Sequence, residues 1–211
     1  GLCRRSSSDW LIITSAGLAI WDRLSNTCEF IVDPYEDQPD LELNDGAIDR
    51  QGRLVVGSFN AARPDAADGS LYRLDTDRSL HKLDKNIALS NGIALSPNGK
   101  TLYASEMSAY RINAYDYDIE SGTTANRRLF VAMQEGEGKP DGLTVDSQGF
   151  VWAARWGGWR VTRYDPAGKM EREIHFPTEN VTCIGFGGEN LDELYVTTAW
   201  YDLSDQQRKA Q

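Results

Sequence analysis

The chain contains 211 residues, of which 40% are hydrophobic and 26% charged, a composition typical of a folded globular domain and not of a disordered segment. No apolar run approaches the roughly 20 residues that a membrane-spanning helix needs, so we expect no membrane partner. The formal net charge is -10, and no cluster of lysines and arginines offsets it. Such a surface repels phosphate backbones, which argues against a nucleic-acid partner.

The thiols and imidazoles are few and far apart in the sequence. Cys3, Cys28 and Cys183 are widely spaced, and there are only two histidines. Isolated cysteines are typical of a reduced protein without a disulfide framework, so we expect a cytoplasmic location. Two distant histidines and no Cys-x-x-Cys pair supply too few ligands for a zinc site built from histidine and cysteine.

Along the chain, short predicted strands alternate with turns, and two patterns repeat. In the first pattern, a polar residue and a glycine precede a turn and an apolar strand. Its copies are Asn44-Asp45-Gly46 before residues 52–57, Ser90-Asn91-Gly92 before 99–104, Pro140-Asp141-Gly142 before 149–154, and the degenerate Thr182-Cys183-Ile184 before 192–197. The second pattern is a strand that ends in an aspartate, at Asp22, Asp75, Asp116 and Asp165. Successive copies lie about 40 to 50 residues apart, which is the period of a propeller blade.

The apolar stretches alternate with a period of two and are rich in valine, tyrosine, tryptophan and isoleucine, so they predict strands and not helices. Turn sequences at 96–99 and 165–168 fit hairpins between them. Only the tail, residues 204–211, has a composition compatible with a helix. We therefore predict a single all-β domain over residues 1–211, a β-propeller.

The repeat also predicts a site. In a propeller, equivalent positions of successive blades meet around one axis, and Gly46, Gly92 and Gly142 are equivalent. The residues just before them are Asn44, Asp45, Asn91 and Asp141. Converging oxygen ligands suit a divalent cation. Turn chemistry explains any single pair better than a site does, and Asp45 in particular, but three pairs in one register favour a site at the mouth of the channel.

These motifs resemble those of the gluconolactonase–regucalcin family, also called the senescence marker protein family, which includes sugar lactonases and luciferin-regenerating enzymes. The likeness is carried by Leu43-Asn44-Asp45-Gly46, Ser90-Asn91-Gly92, Pro140-Asp141-Gly142-Leu143, Trp156-Gly157-Gly158 and Phe186-Gly187-Gly188. It extends from about residue 10 to the end of the sequence. The resemblance implies a six-bladed propeller with one divalent metal ion in the channel: Ca²⁺, Mg²⁺, Mn²⁺ or Zn²⁺.

The resemblance also implies roles for individual residues. Asn91 and Asp141 match two metal ligands, Asp141 matches the general base, and Asn44 matches a residue that contacts the substrate. The third ligand of the family is a glutamate near the N-terminus, with no counterpart before Trp10. We therefore expect this sequence to lack an N-terminal blade and the C-terminal closing strands. Glu42 stands where substrate-binding members often have arginine, so we expect it to alter the choice of substrate.

The function implied is metal-dependent hydrolysis of a sugar lactone, an aldonolactone, to the corresponding sugar acid. Glu106 follows an apolar strand and is predicted to contact the substrate, with Arg155 and Trp156 beside it, although solvated strand ends and ordinary packing explain all three equally well. One alternative is a calcium-binding regulatory propeller without turnover. Another is an interaction propeller of the WD-repeat kind, which would need no register of Asn and Asp, and whose Gly-His…Trp-Asp pattern is missing from the sequence.

Overall fold

The structure is a computed structural model that describes residues 1–4, 6–201, 203–204 and 208. Its strands form five antiparallel sheets. The first contains β1 (Leu2–Arg4), β2 (Asp9–Thr14), β3 (Gly17–Asp22) and β4 (Thr27–Val32). The second contains β5 (Leu41–Ile48), β6 (Leu54–Asn60), β7 (Gly69–Leu74) and β8 (Leu80–Ile87). The third contains β9 (Ser90–Leu95), β10 (Thr101–Glu106), β11 (Arg111–Asp118) and β12 (Thr123–Ala132).

The fourth sheet contains β13 (Lys139–Val145), β14 (Val151–Trp156), β15 (Arg160–Tyr164) and β16 (Met170–His175), and the fifth pairs β17 (Asn180–Gly187) with β18 (Glu193–Ala199). A single turn of 3₁₀ helix, Met107–Ala109, follows β10. Each sheet is a meander of consecutive strands, and β9 packs against both β5 and β13, as β13 does against β17. The all-β propeller prediction is confirmed, whereas the count of six blades stays a prediction.

The middle strands of the second, third and fourth blades are buried on both faces because each of these blades lies between two others. Leu54 and Val56 of β6 belong to the core cluster shared with the first blade, while Val55 between them belongs to the cluster shared with the third. Side chains of a strand point alternately to its two faces, so both faces need apolar residues here. The continuous apolar runs of the sequence are the result, and the outer strands β8 and β16 are correspondingly polar and exposed.

Two glycines allow the inner strands to approach closely around the axis. A Cβ at Gly92 would collide with the carbonyl oxygen of Asp141, and one at Gly142 would lie 2.8 Å from the carbonyl oxygen of Thr182. The requirement is for space, since neither glycine has a left-handed φ. These contacts set the distance between the segments that carry the candidate site.

The predicted turns are present: Gly99 N–H donates to the Ser96 carbonyl and Gly168 N–H to the Asp165 carbonyl, both at 2.9 Å. The predicted helical tail falls largely on residues 205–207 and 209–211, which lie outside the described residues. In the described part of the chain, no helix has the length and the apolar character that crossing a bilayer requires.

Candidate functional site

The residues that precede the repeated glycines share one local geometry. The side-chain Oδ1 of Asp45 accepts a hydrogen bond from Gly46 N at 2.9 Å, and that of Asn91 accepts one from Gly92 N at 3.0 Å. The carboxylate of Asp141 is bonded in the same way by the backbone of Gly142. Each of these three inner strands therefore has an oxygen-bearing side chain at the same position, at a shift in its pairing register with the next strand.

Asn91 and Asp141 come together across the boundary between the third and fourth blades. Asp141 is 7% exposed, and the Asn91 amide lies within hydrogen-bonding reach of its carboxylate. The Asp141 backbone carbonyl accepts a hydrogen bond from Ser105 Oγ at 2.9 Å, and Asn91 Nδ2 lies 3.5 Å from Met107 Sδ. Packing from both blades thus orients the two side chains.

The electrostatic environment of Asp141 opposes its charge. Burial, and after it the negative charge of Asp45, raise the pKa of Asp141 to about 7, against hydrogen bonds from Asn91 and Gly142 that lower it. Burial also raises the pKa of Asp45. Two desolvated carboxylates near one another are costly unless a cation or a proton offsets them.

A hard divalent cation fits this donor set. Asn91, Asp141 and the nearby Asp45 offer side-chain oxygen atoms as ligands, and oxygen ligands are those that Ca²⁺, Mg²⁺ and Mn²⁺ prefer. Within the described ranges, no group of three or more His, Cys, Asp or Glu side chains is gathered as a metal site. Asn91 and Asp141 are the two candidate ligands, and a cation here would need waters or ligands from elsewhere to complete its coordination.

Asp45 is the residue that reasoning from the sequence undervalued. It does not form the turn that was expected of it, because it lies within β5, where the pairing register with β6 shifts. It faces a cavity of about 1070 Å³ between the inner strands and acts electrostatically on Asp141. The signal was present in the register, because Asp45, and not Asn44, directly precedes its glycine as Asn91 and Asp141 do.

Asn44 lies beside the metal-ligand candidates. Its Nδ2 donates to the carbonyl oxygen of Ser90 at 2.9 Å, the residue before Asn91. Glu42 lies two residues before Asn44 in β5, opposite Phe59 of β6, and is partly exposed. Asn44 is thus held next to Asn91, while Glu42 lies nearer the first residue of β5.

Glu106 is placed differently from the predicted substrate contact. It is 2% exposed; its Oε1 accepts from Ala88 N at 3.1 Å, and its Oε2 accepts from Arg111 Nε and Arg127 Nη2, both at 2.7 Å. Asn113 Nδ2 also donates to Oε2 at 2.9 Å. With both oxygens bonded to protein groups, Glu106 anchors the segment that leads into Asn91. The sequence shows a glutamate at a strand end but not which way its side chain turns.

Arg155 is likewise buried, at 2% exposure, and donates to Tyr164 Oη at 2.8 Å and to the carbonyl oxygens of Glu137 and Gly138. Burial lowers the pKa of Arg155. Its neighbour Trp156 is partly exposed at the end of β14. Of these two predicted pocket residues, only Trp156 reaches the surface.

Comparison with known proteins agrees with this architecture. Residues 1–200 match the model of the SMP-30/Gluconolactonase/LRE-like region. The chain is 33% identical to regucalcin from Danio rerio over 201 residues, which cover 94% of this chain and 68% of that protein. It is 40% identical to pentonolactonase XacC from Haloferax volcanii over 160 residues, 76% of this chain and 54% of the relative.

Among solved structures, the calcium-binding protein regucalcin from Agrobacterium tumefaciens superposes with a TM-score of 0.93 at 28% identity, over 99% of this chain and 70% of that one. The chain thus spans between about half and 70% of the length of these relatives. The shared motifs, the propeller and the match over nearly the whole sequence lead to one conclusion: the chain belongs to the SMP-30/gluconolactonase/LRE-like family.

Proposed function

We propose that the protein hydrolyses a sugar lactone, an aldonolactone, to the corresponding sugar acid with the help of one divalent metal ion. The observation that supports this most directly is the buried Asp141 carboxylate, held against Asn91 with Asn44 next to Asn91. The similarity to a pentonolactonase supports the same reaction class.

Opening a cyclic ester requires an activated water and stabilisation of the negative charge that develops on the carbonyl oxygen. Asn91 and Asp141 would hold the cation, which when bound supplies Lewis acidity and offsets the charge of the buried carboxylates. Asp141 accepts the proton of the attacking water. Asn44 uses one N–H of its amide on Ser90, and the second N–H can donate to the substrate or to the developing oxyanion.

Glu42 bears on which lactone is accepted. Its carboxylate stands two residues from Asn44 in the same strand. A negative charge there disfavours anionic substrates and accepts hydrogen bonds from hydroxyl groups. We therefore expect neutral polyhydroxy lactones to be preferred over acidic ones.

The test is a panel of aldonolactones followed with a pH-indicator dye, with and without Ca²⁺, Mg²⁺, Mn²⁺ or Zn²⁺. Asp141→Asn keeps an oxygen ligand but removes the base, so turnover should fall by roughly 10² to 10⁴ while calorimetry still detects metal. Asp141→Ala should lose the metal as well. Asp165→Asn, which alters a turn aspartate in the same blade, serves as the matched control and should retain full activity.

A second function has an observation in its favour, namely the similarity to regucalcins, one of them described as a calcium-binding protein. In that case the same residues would bind calcium without turnover. Tight calcium binding that Asp141→Ala abolishes, together with no hydrolysis across the whole panel, would replace the lactonase proposal with this one.

A further inference from the structure

An aromatic pair lies at the end of the fourth sheet that carries Asp141, and the mechanism above does not use it. Trp156 ends β14 and Tyr201 follows β18; their ring centroids are 6.4 Å apart and their planes are inclined by 56°. Because the planes are tilted, the two rings do not stack face to face. Tyr201 is 69% exposed, so the pair presents aromatic surface to the solvent.

The pair stands next to the candidate site. In the register of β13 and β14, Trp156 lies opposite Lys139. Asp141 is two residues after Lys139 in β13, so the Cα atoms of Lys139 and Asp141 are roughly 7 Å apart at the usual rise of a strand. Side chains alternate along a strand, so Trp156 faces away from the buried Arg155, towards the fifth sheet and Tyr201. Both rings therefore lie at the same end of the fourth sheet as Asp141.

A buried amide fixes the two segments that carry these rings. Asn180 is 3% exposed; its Oδ1 accepts from Gly157 N at 3.1 Å and its Nδ2 donates to the Tyr201 carbonyl at 2.9 Å. One side chain thus connects the residue after Trp156 to Tyr201. The separation of the rings is set before any ligand arrives, which reduces the entropic cost of binding.

We propose that Trp156 and Tyr201 form a subsite that packs against the C–H face of the sugar ring, with the lactone carbonyl directed towards Asp141. This inference rests on the proposed function. The negative face of an aromatic ring attracts C–H groups polarised by neighbouring oxygens, and the contact also removes apolar surface from water. Tyr110, by contrast, has its ring covered by the Lys139 ammonium at 5.4 Å.

The subsite would also distinguish substrate from product. A closed lactone ring presents a continuous face of C–H groups, whereas an open-chain sugar acid is flexible and has no such fixed face. Stacking is therefore stronger before ring opening than after it. Release of the product follows from losing this contact.

Steady-state kinetics on the preferred aldonolactone test the proposal. Trp156→Ala and Tyr201→Ala should each raise KM about three- to tenfold with little change in kcat, as expected when one aromatic contact is lost. Trp156→Phe keeps a stacking ring and should stay within about twofold of the wild type. Trp21→Ala, at a partly exposed tryptophan paired with Trp10 in the first blade, is the matched control and should leave KM unchanged.

A second measurement does not depend on hydrolysis. Methyl β-D-glucopyranoside, a ring that cannot be opened as a lactone, should change the tryptophan emission of the wild type saturably, and Tyr201→Ala should weaken this titration. Tyr201 is exposed, so this variant should fold normally. If lactones are hydrolysed and both alanine variants keep the wild-type KM, the subsite is wrong although the proposed function stands. If no lactone is hydrolysed, the proposed function fails, and the glycoside titration decides on the subsite: a response that Tyr201→Ala weakens supports it, and its absence overturns it.

Discussion

Replacing Glu106 by glutamine is expected to destabilise the protein although the side chain keeps its size. Burial alone would raise the pKa of Glu106, but hydrogen bonds from Arg111, from Ala88 N and from Asn113, with the charge of Arg127, outweigh it and hold that pKa below its ordinary value. The glutamine amide carries no charge. Its NH₂ group would face either Ala88 N or the side chains that donate to Oε2, and all of these groups are hydrogen-bond donors. Ala88 leads into Asn91, so the site depends on this anchor.

The size of the effect follows from the contacts. Glu106→Gln removes two charge-assisted hydrogen bonds of 2.7 Å, each contributing about 1.5–3 kcal/mol when buried. The side chains of Arg111 and Arg127 are 40% and 26% exposed, and solvent screening reduces that sum to about 2–3 kcal/mol. For a chain of this length, the melting temperature should fall by about 5–10 °C.

The pH dependence gives an independent check. Because the folded-state pKa of Glu106 is depressed, its stabilisation is present above the unfolded-state value near 4.5 and is lost as the pH falls through the folded-state value. Urea unfolding should therefore separate wild type from Glu106→Gln clearly at pH 7 and less as the pH falls below about 4.5. Glu29→Gln, which alters an exposed pair with Arg78, is the control and should leave the midpoint nearly unchanged. Equal midpoints for wild type and Glu106→Gln at pH 7 would refute the reasoning.

Three further changes test other parts of the structure. Gly92→Ala should force the inner strands apart and lower the free energy of unfolding, measured in urea, by about 1–3 kcal/mol. Gly185→Ala, where a Cβ meets nothing within 4 Å, is the control and should be neutral. Equal effects of the two substitutions would contradict the packing argument. Asp49→Asn removes the carboxylate that accepts a hydrogen bond from the Tyr117 hydroxyl of the next blade at 2.7 Å. The free energy of unfolding should fall by about 1–2 kcal/mol, and calorimetry should show a melting temperature lower by several degrees. An unchanged melting temperature would show that this contact between blades contributes nothing. Glu42→Arg should raise kcat/KM for acidic lactones relative to neutral ones while metal affinity stays constant, and an unaltered ratio would remove Glu42 from substrate selection.

The sequence alone determined the architecture and the central pair of the candidate site. A repeat of about 40 to 50 residues with a period of two in its apolar stretches can bury its apolar faces only by stacking blades. Once the blades stack around an axis, residues in the same register must meet. Asn91 and Asp141 were therefore predictable as neighbours although 50 positions separate them in the chain.

Only the tertiary structure decided where the remaining side chains point. Glu106 and Trp156 both end strands, yet Glu106 turns into a buried network with Arg111 and Arg127, while Trp156 turns outward to meet Tyr201. Those partners come from other segments of the chain, and no local pattern encodes the pairing. The influence of Asp45 on Asp141 also requires the folded channel, because a charge acts through distance and burial, and both are properties of the packed blades and not of the sequence order.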